Sequence, residues 1–309
     1  MTITQAISNA ARRANGRKRM IVLYWFTQMM VAALAALPLL GIAVPMLAHS
    51  GWAPELLKQF DVTFITEAMQ ARPGVGGAAF SAYPLIIFLT MTSGVFLAGG
   101  AVKLMVQDAT VYSPREFWSG CGEYFWRFFR LMLYSLLFYA IANALAGSVK
   151  KVADKMWGDG LESAPMVMAG WVSNALLILL CGLVSTAMDY AKVRLVRDES
   201  RKSLRACLGS IWLVLRNPRV MGAWLILAVF WVLFTMLYQP VANNIPAVKM
   251  PLILVLALWQ QLYILARVWL RFVSWGTAAE LDPELRPAPL PPEEFVPVLS
   301  TGATEDYAI

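Results

Sequence analysis

Six apolar stretches alternate with polar connections along the chain, at residues 20–48, 83–106, 128–147, 165–188, 221–241 and 251–270. Each is nearly free of ionised side chains and long enough to cross a bilayer, for which about 20 apolar residues suffice. Backbone polar groups must be satisfied internally in hydrocarbon, so only helices or closed barrels cross it. Runs of this length predict helices. The expected fold is all-α: a polytopic membrane protein with six transmembrane helices over residues 1–281 and amphipathic helices at the cytoplasmic interface.

The polar connections carry a pattern of their own. Ser113-Pro114-Arg115-Glu116 has the order of a helix start, with a capping Ser, Pro in the first turn and Glu placed to close a capping box. Phe117, Cys121, Tyr124 and Phe128 follow at helical spacing beside Trp118, Phe125 and Phe129, with Arg127 and Arg130 mostly elsewhere on the wheel. An aromatic face with basic flanks predicts a helix lying in the headgroup plane. After the fourth stretch, Leu204, Leu208, Ile211, Trp212 and Leu215 form a second stripe, with Arg201, Lys202 and Arg205 off it. Asn217-Pro218 then ends that helix. Ile3, Ala6, Ile7 and Ala10 make a weaker third case. Membrane-surface contacts are therefore expected from Arg115, Phe117, Trp118, Arg127, Arg201, Lys202, Arg205 and Trp212. The order of a short helix and then two spans recurs over 2–106, 113–197 and 199–280, in pattern and not in residues. Positive-inside topology alone would produce it without common ancestry.

Composition and charge add an orientation. The 309 residues are 59% hydrophobic and 15% charged, against about 25% charged in soluble domains. Of the 26 Lys and Arg, twenty fall on the side of the two termini, and only Lys58, Arg72, Lys150, Lys151, Lys155 and Lys249 on the other. The positive-inside bias places both termini in the cytoplasm, with anionic lipid headgroups as the counter-charge. Basic residues lining a membrane boundary do not require nucleic acid. The first stretch exceeds the ~7–15 residues of a signal-peptide core and is expected to stay as a span. In the first outer connection, 54–70 is a candidate surface helix, and Pro73-Gly74-Val75-Gly76-Gly77 is expected to be flexible. Residues 282–309 are rich in Pro and acidic side chains, which predicts a disordered or extended cytoplasmic tail. A docking peptide for a protein partner is its sharper reading, and the spans offer a second surface for such a partner.

Little in the sequence points to catalysis. Cys121, Cys181 and Cys207 are widely spaced and His49 is the sole histidine. This argues against a zinc site, a disulfide framework or a Ser/His/Asp relay, so no catalytic residue, metal or cofactor is expected. Polar groups inside spans are the functional suspects. Gln260 and Gln261 in the sixth span, Asn143 in the third and Asn174 in the fourth are expected to bond between helices or to line a polar path. Asp189 is expected to pair with Lys192, or with Arg267 from a neighbouring span, and not to couple protons or ions. Ser93-Gly94 and Ala98-Gly99-Gly100-Ala101 permit close helix approach, and Gly99-Gly100 is also a candidate helix break.

Three segments carry a resemblance: Val95-Phe96-Leu97-Ala98-Gly99-Gly100, then 116–125, then Gln260-Gln261-Leu262-Tyr263 with Arg267. They resemble a group of six-span bacterial membrane proteins without assigned chemistry. That group is similar in layout to the membrane domain attached to some glycerophosphodiester phosphodiesterases. The resemblance implies a helical bundle in a bacterial inner membrane and brings no catalytic residues. The metal-binding carboxylates and histidines of the phosphodiesterase domain have no counterpart here, so its activity is not expected. The function these readings favour is a non-enzymatic scaffold or accessory subunit that organises lipid or a membrane complex. A small-molecule or lipid transporter is the alternative.

Overall fold

A computed structural model describes residues 1–47, 73–107, 112–157, 164–200, 202–245 and 249–285. Their helices are α1 (Ile3–Gly16), α2 (Lys18–Leu47), α3 (Pro73–Val106), α4 (Pro114–Trp157), α5 (Ala164–Arg197), α6 (Ser203–Arg216), α7 (Pro218–Asn244) and α8 (Met250–Leu285). Among the described residues, six helices are long and apolar enough to cross a membrane: α2, α3, α4, α5, α7 and α8. His49, Arg201, the 54–70 segment and the tail from 286 onward lie outside the described residues.

Local chemistry sets several boundaries. Thr2 and Gln5 form a reciprocal capping box at the start of α1. Ser113 Oγ accepts from the Glu116 amide at 3.4 Å to open α4, and α7 begins at Pro218 after Asn217. Pro73-Gly74-Val75-Gly76-Gly77 is not a loose tract but the first turns of α3.

Consecutive spans α2 to α5 pack side by side, and α8 lies among them, touching α7, α5, α3, α2 and α1. Most of the core lies at one end of the bundle, where the Met1 ammonium is 3.2 Å from Glu284. There the buried side chains include Leu104 and Met105 of α3, Phe117 and Phe128 of α4, Leu195 of α5, and Phe272 and Trp275 of α8. Toward the other end, large residues such as Leu137, Ile178, Met236 and Leu258 are exposed, as suits helices whose solvent is hydrocarbon.

A close backbone approach joins α3 to α4. A Cβ on Gly100 would lie 2.3 Å from the Phe117 carbonyl oxygen, and one on Gly99 2.8 Å from that of Gly120. Gly99-Gly100 is therefore a packing surface, and α3 runs through it without a break.

Two expectations about surface helices require correction. The segment from Pro114 is not a separate headgroup helix but the start of one unbroken 44-residue helix. That length spans about 66 Å, twice the hydrocarbon thickness. No Pro interrupts 115–157, and the aromatic face finds a protein partner in the α3 glycines. Phe117 is fully buried and makes no membrane-surface contact. Likewise, α1 lies along the C-terminal part of α8. Ala6, Ala10 and Ala14 are fully buried, a Cβ on Gly276 would meet Ala10, and Trp269 Nε1 donates to Asn15 Oδ1 at 2.9 Å. Its apolar face is covered by protein, not lipid.

Substituting Gly100→Val should cost at least ~2 kcal/mol through overpacking, read as a lower unfolding midpoint in detergent. Gly122→Val, with open space around the glycine, should leave the midpoint nearly unchanged.

Candidate functional site

The principal polar cluster inside the bundle is built by α5 and α8. Asp189 is almost fully buried. Its Oδ1 lies 2.8 Å from Arg271 Nη2 and accepts from Trp275 Nε1 at 3.0 Å. Its Oδ2 accepts from Arg271 Nη1 and Ser274 Oγ, both at 3.0 Å. Four donors on two oxygens fill the carboxylate, and the bidentate guanidinium fork is the strongest of these arrangements. Lys192 Nζ stands farther off, 3.6 Å from Oδ1. Both cations also lie over the Trp275 ring, Arg271 at 5.2 Å and Lys192 at 5.6 Å from its centroid.

Lys192, Arg271 and Trp275 form one wall of a cavity of about 270 Å³ bounded by α2, α3, α4, α5 and α8. Tyr24 and Gln28 enter from α2, and the remaining surface is largely apolar, with Met91, Val95, Leu131 and Met132. Gln28 and Thr90 are exposed, which marks where the cavity reaches the outside of the bundle.

A second ionic cluster lies nearer Met1 and Glu284. Fully buried Asp282 pairs with Arg194 at 2.8 Å and Arg197 at 3.3 Å, while Arg197 Nη2 donates to the Ala279 carbonyl at 2.8 Å. Arg13 pairs with Glu280. Buried Arg17 donates to the Gln107 carbonyl at 3.1 Å and Arg13 to that of Met105 at 3.4 Å. Two cations thus satisfy carbonyls at the C-terminal end of α3, where the helix dipole also favours positive charge.

The expected pairing of Asp189 with Lys192 is present, but its neighbouring-span partner is Arg271, not Arg267, which is exposed one turn away. Gln261 Oε1 accepts from Trp25 Nε1 at 3.0 Å and ties α2 to α8. Gln260, Asn143 and Asn174 face outward, so the polar residues of the sequence do not meet in one path. Arg115, Trp118, Lys202, Arg205 and Trp212 are exposed and Arg127 is half-buried. Sequence reasoning missed Ser274 and Trp275 and did not pair Arg271 with Asp189. The available signal was their i, i+3 and i+4 spacing on one helix face.

Helix α6 turns Ser203, Cys207, Ser210, Leu213 and Val214 inward, while Leu204, Leu208, Trp212 and Leu215 are exposed beside Lys202 and Arg205. Burial pushes the Cys207 thiol up to about 11. Among the described residues, no group of three or more His, Cys, Asp or Glu could hold a metal ion.

The class these features define is an all-α polytopic membrane protein. Comparison of the chain with family models, curated proteins and solved structures found no match.

Two outcomes follow. Asp189→Asn leaves Arg271 and Lys192 facing each other without a counter-charge, and breaking a buried pair in this way costs about 3–5 kcal/mol. The unfolding midpoint should fall sharply, and Asp189→Leu combined with Arg271→Leu should recover part of the loss. At pH 8 only about one Cys207 in a thousand would be a thiolate. In the folded protein it should resist alkylation and then react on denaturation, with labelling followed by mass spectrometry.

Proposed function

We propose that this chain is a non-enzymatic membrane protein that organises anionic lipid around its basic end. The observation that carries the reading is the outward face of α6. Four large apolar side chains point away from the bundle beside two exposed cations, while Ser203, Cys207, Ser210, Leu213 and Val214 face the protein. That combination suits a helix seated at the headgroup level, with its apolar side chains in acyl chains and its cations at phosphates. Exposed Arg115 and Trp118 at the start of α4 extend the same chemistry. The transport alternative relied on a path through Gln260, Gln261, Asn143 and Asn174, and three of these four face outward.

Protein extracted in mild detergent should retain anionic lipid enriched over the bulk membrane. Reversing Arg115, Lys202 and Arg205 to Glu should cut that enrichment at least about fivefold, since each surface cation contributes roughly 1 kcal/mol to anionic-lipid attraction. A spin label at Trp212→Cys, in a background lacking Cys181, should be relaxed by lipid-dissolved oxygen. Relaxation by a water-soluble nickel chelate alone would overturn the interfacial seat.

A further inference from the structure

We propose that the cavity between α2, α3, α4, α5 and α8 binds the head of an anionic amphiphile, a phosphate or carboxylate bearing an apolar tail. The argument is one of charge. Asp189 is filled by the Arg271 fork, Ser274 and Trp275, so one negative charge faces two positive ones. The surplus belongs to Lys192, which stands at 3.6 Å from the carboxylate and lines the cavity together with Arg271. A surplus positive charge inside a membrane bundle is costly, and an anion in the cavity would offset it.

The Lys192 and Arg271 side chains are 18% and 37% exposed, within reach of a ligand. The guanidinium spends only part of its five N–H groups on Asp189, and Gln28 and Tyr24 of α2 also line the cavity. The tail has its place on Met91, Val95, Leu131 and Met132. An anion held here by two cations, with an apolar surface beside them, matches an amphiphile better than a fully hydrated ion. This deepens the lipid-organising reading from the surface of the protein to its interior, and rests on that reading only for the bilayer as the source of the ligand.

The test uses the full chain in nanodiscs of phosphatidylcholine, titrated with a short-chain phosphatidic acid, with the matching diacylglycerol and with inorganic phosphate. Saturable binding of the phosphatidic acid, and none of the diacylglycerol, is expected. Lys192→Gln keeps the Asp189–Arg271 pair and should weaken binding about tenfold or more. Gly94→Leu changes no charge: its Cβ has only the Tyr24 hydroxyl nearby, at 3.9 Å, and the longer side chain fills the cavity, so it should also abolish binding. Inorganic phosphate should compete weakly. Competition as strong as the amphiphile's would overturn the role of the tail and point to a free anion. Unchanged affinity in both folded variants would overturn the site. Loss of binding on reversing Lys202 and Arg205, with Lys192→Gln silent, would overturn the cavity and leave the surface reading standing.

Discussion

A carboxylate buried inside the bundle must find its donors within the protein, and Asp189 does so by joining two helices that are distant in sequence. Arg271, Ser274 and Trp275 all come from α8, and each fills a position on a carboxylate carried by α5. Asp282 repeats the arrangement in the opposite direction, from α8 to Arg194 and Arg197 of α5. These exchanges fix the register of the two helices, because sliding one by a turn would strand charges on both. Arg13 and Arg17 then tie the junction of α1 and α2 to the end of α3.

The position of the core follows from the same constraint. Lipid tails are as apolar as Leu, so apolar surface alone gives helices little reason to associate in hydrocarbon. Association needs close packing or polar bonds, and this chain concentrates both at one end. There the Gly99-Gly100 surface admits α4, the two ionic clusters clamp α5 to α8, and α1 covers Gly276. At the other end the contacts are sparser: Ser173 Oγ donates to the Ala146 carbonyl at 2.7 Å to hold α4 to α5, and Thr235 shares a hydrogen bond with Tyr263 between α7 and α8.

The six spans were legible in the sequence because length and hydropathy act locally. The starts of α3 and α4 were not, since α3 absorbs the 73–77 tract and α4 the segment from Pro114. The Thr2-x-x-Gln5 capping box was equally local and passed unread. What could not be read was which face of an amphipathic helix meets oil. In water an apolar stripe turns inward, but beside a membrane it has two apolar choices. The stripes starting at Phe117 and at Leu204 look alike on a helical wheel, yet the first is buried against α3 and the second faces out. The difference lies in the partner: paired glycines on α3 leave a groove for large rings, whereas α6 seats its other face, Ser203, Cys207, Ser210, Leu213 and Val214, against the bundle. Asp189 illustrates the same limit. Arg267 and Arg271 are one turn apart, and only the packed register of α5 against α8 selects the second.

The two cations at Asp189 are not equivalent, and their chemistry divides the work. A guanidinium presents a planar fork that fits a carboxylate in one geometry, and Arg271 uses it to lock α8 to α5. An ammonium is a compact charge on a flexible stem, with no geometric claim on a carboxylate already filled. Exchanging the two would therefore not conserve the site: Lys at 271 would lose the bidentate clamp, and Arg at 192 would bring a second fork to an acceptor with no free position. The clamp needs arginine for its shape. The cavity needs lysine for a charge that can swing from the carboxylate to whatever anion lies beside it.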